Sequence, residues 1–246
     1  MIKKGTLAYK AIALPGLALL QTTEFVIGKV DGNDHFYETA RFPWVRDIES
    51  QWQTIRSEFC ALLPQMIPAA QQISEEQARI TTGPEWKTYV FYAFGRQATD
   101  NCARCPETTR LLERIPDMVT AMFSVLAPQA HIRHHRGVFK GVLRYHLALV
   151  VPPPPPRCTL RVGDESKHWS EGTSFIFDDT HDHEAWNGSE EIRVVLIVDF
   201  LRRLPFPLNL MNCILIRLIG ISPFIRNAMN KIAEWNKRVG DVPDQR

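Results

Sequence analysis

The chain has 246 residues, of which 45% are hydrophobic and 23% are charged. This balance is typical of a globular protein and excludes wholesale disorder, a collagen-like repeat and a coiled coil. The formal net charge of +2 is too small to indicate a nucleic-acid partner. Five cysteines without regular spacing do not form a disulfide framework, so we expect a reducing, cytoplasmic setting.

Two apolar segments raise the question of membrane contact. Residues 11–20 are interrupted by Pro15 and are shorter than the ~20 residues of a spanning helix. Residues 208–225 contain the charged Arg217, and Pro223 near their end would stop a helix. We expect the second segment to be a helix docked on the protein body. Its alternative is an interfacial helix, which would give peripheral association with the inner face of a membrane.

The pattern of the chain predicts a helical front followed by a strand-rich body. Apolar residues at helical spacing predict a helix over residues 47–63, and a shorter helix begins at Pro106. Aromatic and β-branched residues predict a strand over 86–94. Further strands are predicted over 122–128, 141–152, 158–163, 173–179 and 192–200. Short strands at such regular spacing indicate a mainly β protein, either an antiparallel sandwich or a jelly roll.

We therefore divide the chain into three segments. They are an N-terminal extension (1–45), a jelly-roll domain with a helical front (46–207) and a C-terminal helical segment (208–246). One strand of the domain alternates clearly, with Arg144 and His146 on one side. The other side carries Leu143, Tyr145, Leu147 and Leu149.

Histidines are concentrated in the strand-rich half, which holds seven of the eight. Imidazole is a common protein ligand of iron, zinc and copper. Closing a jelly roll could bring His135 and His183 together from distant strands. If the strand that begins at Arg193 pairs beside the His183 strand, a guanidinium enters the barrel close to the metal. Its fork matches a carboxylate, and Arg144 with His146 could bind a second one. The pattern favours a metal bound with a small dicarboxylate.

These residues belong to a longer series of motifs between residues 86 and 207. In order, the series reads FSVLAP, HHRGVFKGVLRYHLALVVP, WSEG, FIFDDTHDHEAWN and RVVLIVDFLRRLP. It resembles the aspartyl/asparaginyl β-hydroxylase family of Fe(II)- and 2-oxoglutarate-dependent dioxygenases. The resemblance implies a double-stranded β-helix (jelly roll), with N-terminal helices packed on it and a C-terminal helix.

The resemblance also implies a metal site. His135 and His183 match the two iron ligands, whereas His134 and His181 are the alternatives if the register is wrong by one or two residues. Most 2-oxoglutarate oxygenases add a carboxylate ligand two residues after the first histidine, where this chain has Gly137. We expect water at the third position, with chloride, as in iron-dependent halogenases, as the alternative.

Further residues match the surroundings of the cosubstrate. Arg193 matches the arginine that pairs with the distal carboxylate of 2-oxoglutarate. The other groups around the cosubstrate are Ser124, Arg144 and His146. Asp179 matches an acid beside the iron-bound water and is the candidate catalytic residue.

The implied activity is hydroxylation of an unactivated carbon, which consumes O2 and 2-oxoglutarate and releases succinate and CO2. The substrate could be an aspartyl or asparaginyl residue, another amino acid or an acyl chain. Animal members have an additional substrate-binding arginine just before the strand, where this chain reads Gly141-Val142-Leu143. A halogenase and a non-catalytic metal-binding barrel are the alternatives, and a zinc hydrolase is disfavoured because no third protein ligand stands out.

Overall fold

The computed structural model describes residues 22–62, 64–74, 77–81, 83–137, 139–153 and 157–240. Its helices are α1 (22–31), α2 (Trp44–Ser50), α3 (Trp52–Ala61), α4 (Ala70–Ile73), α5 (Thr99–Arg104), α6 (Pro106–Leu112), α7 (Leu208–Gly220) and α8 (Pro223–Gly240). The helix expected over 47–63 is divided in two at Gln51, whose φ of −107° and ψ of 11° leave the helical region. The apolar sequence 11–20 lies outside the described residues.

Eleven strands form two antiparallel sheets within the described ranges. They are β1 (Phe36–Tyr37), β2 (Trp86–Ala93), β3 (Arg96–Gln97), β4 (Met118–Leu126), β5 (His131–His135), β6 (Val142–Val150), β7 (Cys158–Val162), β8 (Glu165–His168), β9 (Ser174–Phe177), β10 (His183–Asn187) and β11 (Arg193–Leu201). The larger sheet has the order β1-β9-β6-β11-β4-β2-β3, and the smaller sheet has the order β5-β10-β7-β8.

The strand order confirms the expected double-stranded β-helix. From β4 to β11 the chain passes repeatedly between the two sheets. Strands β4, β6, β9 and β11 lie side by side in the larger sheet, while β5, β7, β8 and β10 form the smaller one. This winding places the ends of distant strands at the same opening of the barrel.

The two faces of the larger sheet have different partners. Along β6, Tyr145 and Leu147 belong to the apolar cluster that includes helical residues such as Ile55. The alternate residues Arg144, His146 and Ala148 face the smaller sheet, in agreement with the polarity of the sequence. The inner face is therefore the one that carries ionisable groups.

Helices α2 and α3 cover the outer face. Phe59 of α3 meets Phe123 of β4 edge to face, with ring centroids 5.3 Å apart. Glu58, on the same helix, accepts hydrogen bonds from the backbone amides of Glu107 and Thr108 at 2.9 and 2.7 Å. Its carboxylate thus stabilises the start of α6, where the amides have no helical partner.

The connection from β10 to β11 crosses from one sheet to the other. The sequence left open whether β11 pairs beside the His183 strand, and in the structure β11 pairs instead with β4 and β6. Asn187 at the end of β10 holds the crossing, since its side-chain amide donates to the carbonyl oxygens of Leu126, Ala127 and Glu191. Arg193 therefore enters the barrel from the sheet opposite His183.

A buried ion network ties the N-terminal region to the barrel. Arg202 donates to Asp178 at 2.7 Å, to Asp31 at 2.8 Å and to the hydroxyl of Tyr37 at 2.7 Å. Lys140 also binds Asp178. Burial opposes ionisation of Asp178, but Arg202 and Lys140 outweigh it and lower its pKa. Strand β1 also pairs with β9, so Phe36 and Tyr37 belong to the larger sheet, while Asp31 and Tyr37 belong to this network.

The C-terminal segment consists of two helices. Asn212 of α7 donates to the backbone carbonyls of Gly141 and Arg202, and Asn236 of α8 donates to the side chain of Asn101. In the described part of the chain, no single helix is long and apolar enough to cross a membrane. The bent pair Leu208–Gly220 and Pro223–Val239, at 51°, meets that criterion by length and composition.

Candidate metal centre

The first and second predicted metal ligands lie opposite each other on neighbouring strands. His183 of β10 pairs directly with His135 of β5, and their ring centroids are 4.1 Å apart. Nδ1 of His135 lies 2.8 Å from the carbonyl oxygen of Arg133. Nδ1 of His183 lies 2.9 Å from the carbonyl oxygen of His181. Donation of Nδ1–H to those carbonyls leaves the Nε2 lone pairs available to a metal.

Both rings are neutral at neutral pH. Burial, together with the adjacent His135, lowers the pKa of His183 to about 3. Burial also lowers the pKa of His135. Neutral imidazole is the form that coordinates a metal, so the site selects the ligating state.

Gly137 and Asp179 share one space. A Cβ atom on Gly137 would lie 2.3 Å from Oδ1 and 2.4 Å from Cγ of Asp179, which is too close for any real contact. The amide of Gly137 donates to the carbonyl oxygen of Asp179 at 2.7 Å, which holds the two backbones together. The carboxylate of Asp179 thus occupies the position that a side chain at residue 137 would fill.

Asp179 has one oxygen engaged and one unpaired. Arg144 contacts its Oδ2 at 3.1 Å, while its buried Oδ1 has no hydrogen-bond partner within the described residues. Burial raises the pKa of Asp179, and Arg144 counteracts this by stabilising the carboxylate. A buried unpaired acceptor is suited to a hydrogen bond from a bound water molecule.

Arg144 is more fully paired than we expected. Its Nε and Nη2 donate to both oxygens of Asp199 at 2.7 and 3.0 Å, in addition to the contact with Asp179. This guanidinium is therefore already neutralised by protein carboxylates. Its assignment to cosubstrate binding stays a prediction.

Arg193 lacks such a partner. The residue is 1% exposed, its guanidinium lies 4.6 Å from the ring centroid of Trp169, and its Nε has no hydrogen-bond partner. Within the part of the chain that the structure describes, Arg193 makes no ion pair with a carboxylate, whereas Arg144 and Arg202 do. Burial lowers its pKa to about 10, so the side chain stays charged at neutral pH. A buried guanidinium of this kind calls for an anionic ligand.

Two more predicted residues line the same inner face. They lie on the two strands that flank β11. His146 of β6 pairs with Ile197, and Ser124 of β4 pairs with Val195. Both ring nitrogens of His146 are buried without a partner, and burial lowers its pKa well below the ordinary value. The hydroxyl oxygen of Ser124 accepts a hydrogen bond from the indole of Trp86 at 2.9 Å, so its own proton remains to donate.

A continuous series of rings joins the histidine pair to Arg193. The ring of Phe177 lies 5.7 Å from that of His183 and 5.0 Å from that of His146. His146 stacks on Trp169 at 6.0 Å, and Trp169 underlies Arg193. The candidate metal ligands and the unpaired guanidinium thus stand at the two ends of one site.

The alternative histidines lie elsewhere. The side chain of His134 is 75% exposed and lies 3.4 Å from Asp182. His181 packs its ring against that of His35 at 4.5 Å. The geometry therefore favours His135 and His183 over these neighbours.

The sequence analysis missed two residues that shape the site. Asp199 pairs with Arg144, and it could have been found because it follows Arg193 at even spacing in an otherwise apolar strand. Trp169 lies within a matched motif, but its position over Arg193 depends on a turn that no periodicity describes.

A separate group of potential ligands lies on the surface. Nδ1 of His35 is 3.2 Å from Asp164 and 3.1 Å from Glu165. Within the described ranges these three form the only cluster with three metal-binding side chains. Both carboxylates are exposed, which is ordinary for a surface ion pair.

Fold and site together define a double-stranded β-helix protein with a two-histidine candidate metal centre. Residues 49–203, more than half of the chain, match the family model described as aspartyl/asparaginyl beta-hydroxylase. An ornithine lipid ester-linked acyl 2-hydroxylase from Rhizobium tropici is 40% identical over 209 residues, which cover 84% of this chain and 74% of that protein. The chain therefore belongs to the aspartyl/asparaginyl β-hydroxylase family, and this membership supports a hydroxylase.

A second relative is more distant. Human aspartyl/asparaginyl beta-hydroxylase is 30% identical over 167 residues, which cover 66% of this chain but 21% of the human protein. Among solved structures, a predicted oxalate decarboxylase from Thermotoga maritima is 11% identical over 48% of this chain and 81% of its own, with a TM-score of 0.33. The cupin domain of Schizosaccharomyces pombe Cnp3 is 11% identical over 57% of this chain and 75% of its own, with a TM-score of 0.35. The fold assignment rests on the strand order of this chain.

The shared space of Gly137 and Asp179 predicts a coupled stability change. We expect Gly137→Ala to lower the free energy of unfolding by about 1–3 kcal/mol, because the new methyl group displaces the carboxylate. Adding Asp179→Ala should recover part of this loss, with a coupling energy of about 0.5–3 kcal/mol. Urea denaturation of the two single variants and the double variant measures the cycle.

Gly188→Ala is the control, since it adds the same methyl group at a position where the nearest atom to the new Cβ would be the Arg157 carbonyl oxygen, at 3.3 Å. Additive effects of the two substitutions would show that the two residues do not compete for one space.

Proposed function

We propose that this protein is an Fe(II)- and 2-oxoglutarate-dependent hydroxylase that acts on an ester-linked acyl chain. The observation that carries the cofactor assignment is the unpaired, buried guanidinium of Arg193 at the far end of the site from His135 and His183. A metal at one end and a cation at the other suit a ligand that has a chelating keto acid and a distal carboxylate. The family membership supports the same pairing.

The unpaired polar atoms of the barrel fit this ligand set. Four groups can donate hydrogen bonds at this end of the barrel: the guanidinium of Arg193, the indole N–H of Trp169, the hydroxyl of Ser124 and one nitrogen of neutral His146. They suit the oxygens of a dicarboxylate. On the metal side, the unpaired Oδ1 of Asp179 is an acceptor that suits a water molecule.

Each group then has a separate task. His135 and His183 would hold the iron through Nε2, and their Nδ1 contacts with backbone carbonyls fix the orientation of both rings. Arg193 would bind and orient the distal carboxylate. Iron and 2-oxoglutarate, when bound, supply the chemistry that converts O2 and a C–H bond into a hydroxyl group, with release of succinate and CO2.

The apolar walls serve the same chemistry by excluding water. Phe175 is 8% exposed, Phe177 is buried, and both pack beside His146. A dry pocket strengthens the ionic contact of Arg193 with a carboxylate and protects reactive species from side reactions.

Asp179 disfavours the halogenase alternative. A halide would use the space that glycine leaves at position 137, but that space already contains a carboxylate. Two anions side by side in a buried site repel each other strongly. Hydroxylation is therefore the better assignment.

The unpaired groups also disfavour a non-catalytic barrel. A scaffold gains nothing from an unpaired guanidinium and an unpaired imidazole in its interior, because each destabilises the fold unless a ligand binds. Membership in a family of hydroxylases agrees with a ligand-binding role.

The acyl substrate rests on the comparison with relatives. The Rhizobium tropici protein, named for 2-hydroxylation of an ester-linked acyl chain, is more similar to this chain and matches more of it than the human protein does. The sequence Gly141-Val142-Leu143 also lacks the arginine expected for an aspartyl substrate. Both points favour carbon 2 of an acyl ester in an ornithine-type lipid.

Iron and 2-oxoglutarate binding can be tested without a substrate. Anaerobic addition of both to the protein should give a weak visible charge-transfer band, and His183→Ala should abolish it because one of two protein ligands is lost. His168→Ala, which removes an exposed histidine of β8, should leave the band unchanged. A band of full strength in His183→Ala would remove that residue from the metal site.

Arg193 can be tested through the affinity for the cosubstrate. We expect Arg193→Ala to raise the KM for 2-oxoglutarate roughly ten- to a hundredfold, since a charge-assisted hydrogen bond contributes ~1.5–3 kcal/mol. Succinate formation at increasing 2-oxoglutarate concentrations gives this value. Arg110→Ala on the surface of α6 is the matched control. An unchanged KM would contradict the role of Arg193.

The substrate class is tested by product analysis. Incubation of the wild-type protein with an ornithine lipid should add one oxygen atom to the ester-linked acyl chain, detected by mass spectrometry of the released fatty acid. A peptide with aspartyl and asparaginyl residues serves as the competing substrate. Hydroxylation of the peptide alone would reject the acyl assignment while keeping the hydroxylase.

A further inference from the structure

Helix α7 and its two ends carry a continuous apolar surface that has no partner within the described residues. We call this surface the α7 outer face. Its side chains, with their exposed fractions, are Phe206 (84%), Leu210 (54%), Ile214 (48%), Leu218 (54%), Ile221 (63%) and Phe224 (47%). Large apolar side chains exposed in one contiguous patch indicate an interaction surface.

The spacing shows that these residues share one side of the helix. Leu210, Ile214 and Leu218 follow at intervals of four residues, which is the period of one helical face. The opposite side holds α7 on the barrel, through Ile216 in an apolar cluster and Asn212 in hydrogen bonds to two backbone carbonyls. The docking of α7 therefore leaves the outer face free for a second contact.

The segment of the chain that forms the α7 outer face carries charge of one sign. Between Asp199 and Glu234 the sequence contains no Asp or Glu. The basic residues of this segment outside the buried network are Arg203, Arg217, Arg226 and Lys231, of which the first three are exposed. An apolar helical face flanked by cations complements an anionic lipid surface.

The length of α7 decides how it meets the lipid. Its 13 residues fall short of the ~20 that a spanning helix needs, and the chain bends by 51° before α8 continues. Phe206 and Phe224 stand at the two ends, where they extend the apolar face that an interfacial helix buries. The helix is thus suited to lie in the plane of the interface.

We propose that the α7 outer face binds the surface of an anionic lipid bilayer. This surface is independent of the cofactor assignment and goes beyond the proposed acyl substrate by stating where the enzyme meets it. The buried side of α7 packs on Phe139 and Val142, in the segment that follows His135 and Gly137. Binding through the outer face would therefore place α7 between the bilayer and the segment that contains Phe139 and Val142.

Vesicle flotation of the full chain tests this surface. Wild-type protein should float with vesicles of phosphatidylcholine and phosphatidylglycerol, more weakly with phosphatidylcholine alone, and more weakly at high salt. Ile214→Ser and Leu218→Ser should each reduce partitioning about tenfold, because each removes an exposed apolar side chain that the bilayer would bury. Arg217→Gln should reduce binding to the anionic vesicles about fivefold, with little effect on neutral ones.

Ile192→Ser is the matched control, since it makes the same change at a side chain that is 42% exposed just before β11. Equal flotation of all variants would overturn the proposal. Self-association that the α7 substitutions abolish, without vesicle binding, would assign the face to a second copy of the chain. A lower melting temperature with unchanged flotation would assign it to another part of the same chain.

Flotation requires neither iron nor 2-oxoglutarate, so it separates this proposal from the proposed function. A protein that floats but gives no charge-transfer band would retain the lipid surface and lose the cofactor assignment. A protein that gives the band but does not float would retain the cofactor assignment and lose the lipid surface.

Discussion

A positive charge without a protein counterion is the constraint on which the barrel depends. Arg193 is almost wholly buried, its guanidinium lies 4.6 Å from the ring centroid of Trp169, and it makes no ion pair with a carboxylate among the described residues. A buried charge left without its partner destabilises a fold by about 3–5 kcal/mol. An anion that enters this site relieves the penalty, so ligand binding and barrel stability are linked through one side chain. This linkage explains why polar donors are collected at that end of the barrel instead of being spread over its interior.

At the end of the site with His135 and His183, the constraint is the position of a carboxylate. In a three-ligand site the acid would stand two residues after the first histidine. Here the backbone at Gly137 approaches Asp179 so closely that the acid arrives from a different segment of the chain. Arg144 and Asp199 continue the chain of alternating charges away from the metal end. The carboxylate is therefore fixed in place and its charge partly balanced before any ligand binds.

The sequence was sufficient to predict β2, β4, β6, β7, β9 and β11, the two faces of β6 and the meeting of His135 with His183, but it did not predict β5 and β10, the strands that carry these histidines. These features depend on local periodicity and on motifs that the family resemblance covers. It was not sufficient to determine the partners of β11, since the pairing beside the His183 strand that we considered does not occur and β11 crosses to the other sheet. Strand order is decided by packing between distant segments, and the side-chain bonds of Asn187 that hold the crossing leave no periodic signal. The partner of Arg144 was visible in the sequence as an acid within an apolar strand, yet its role required the register.

The ion network around Asp178 bears on how the chain can be divided. A protein trimmed to begin at residue 46 would lose Asp31 and Tyr37, and Arg202 would keep a single acidic partner in the interior. It would also lose β1 and leave β9 as an open edge with unpaired backbone groups. Such a fragment would tend to aggregate, although it contains every residue assigned to the metal and cosubstrate. The smallest stable unit of this enzyme is therefore larger than its catalytic motifs and includes Asp31 and strand β1.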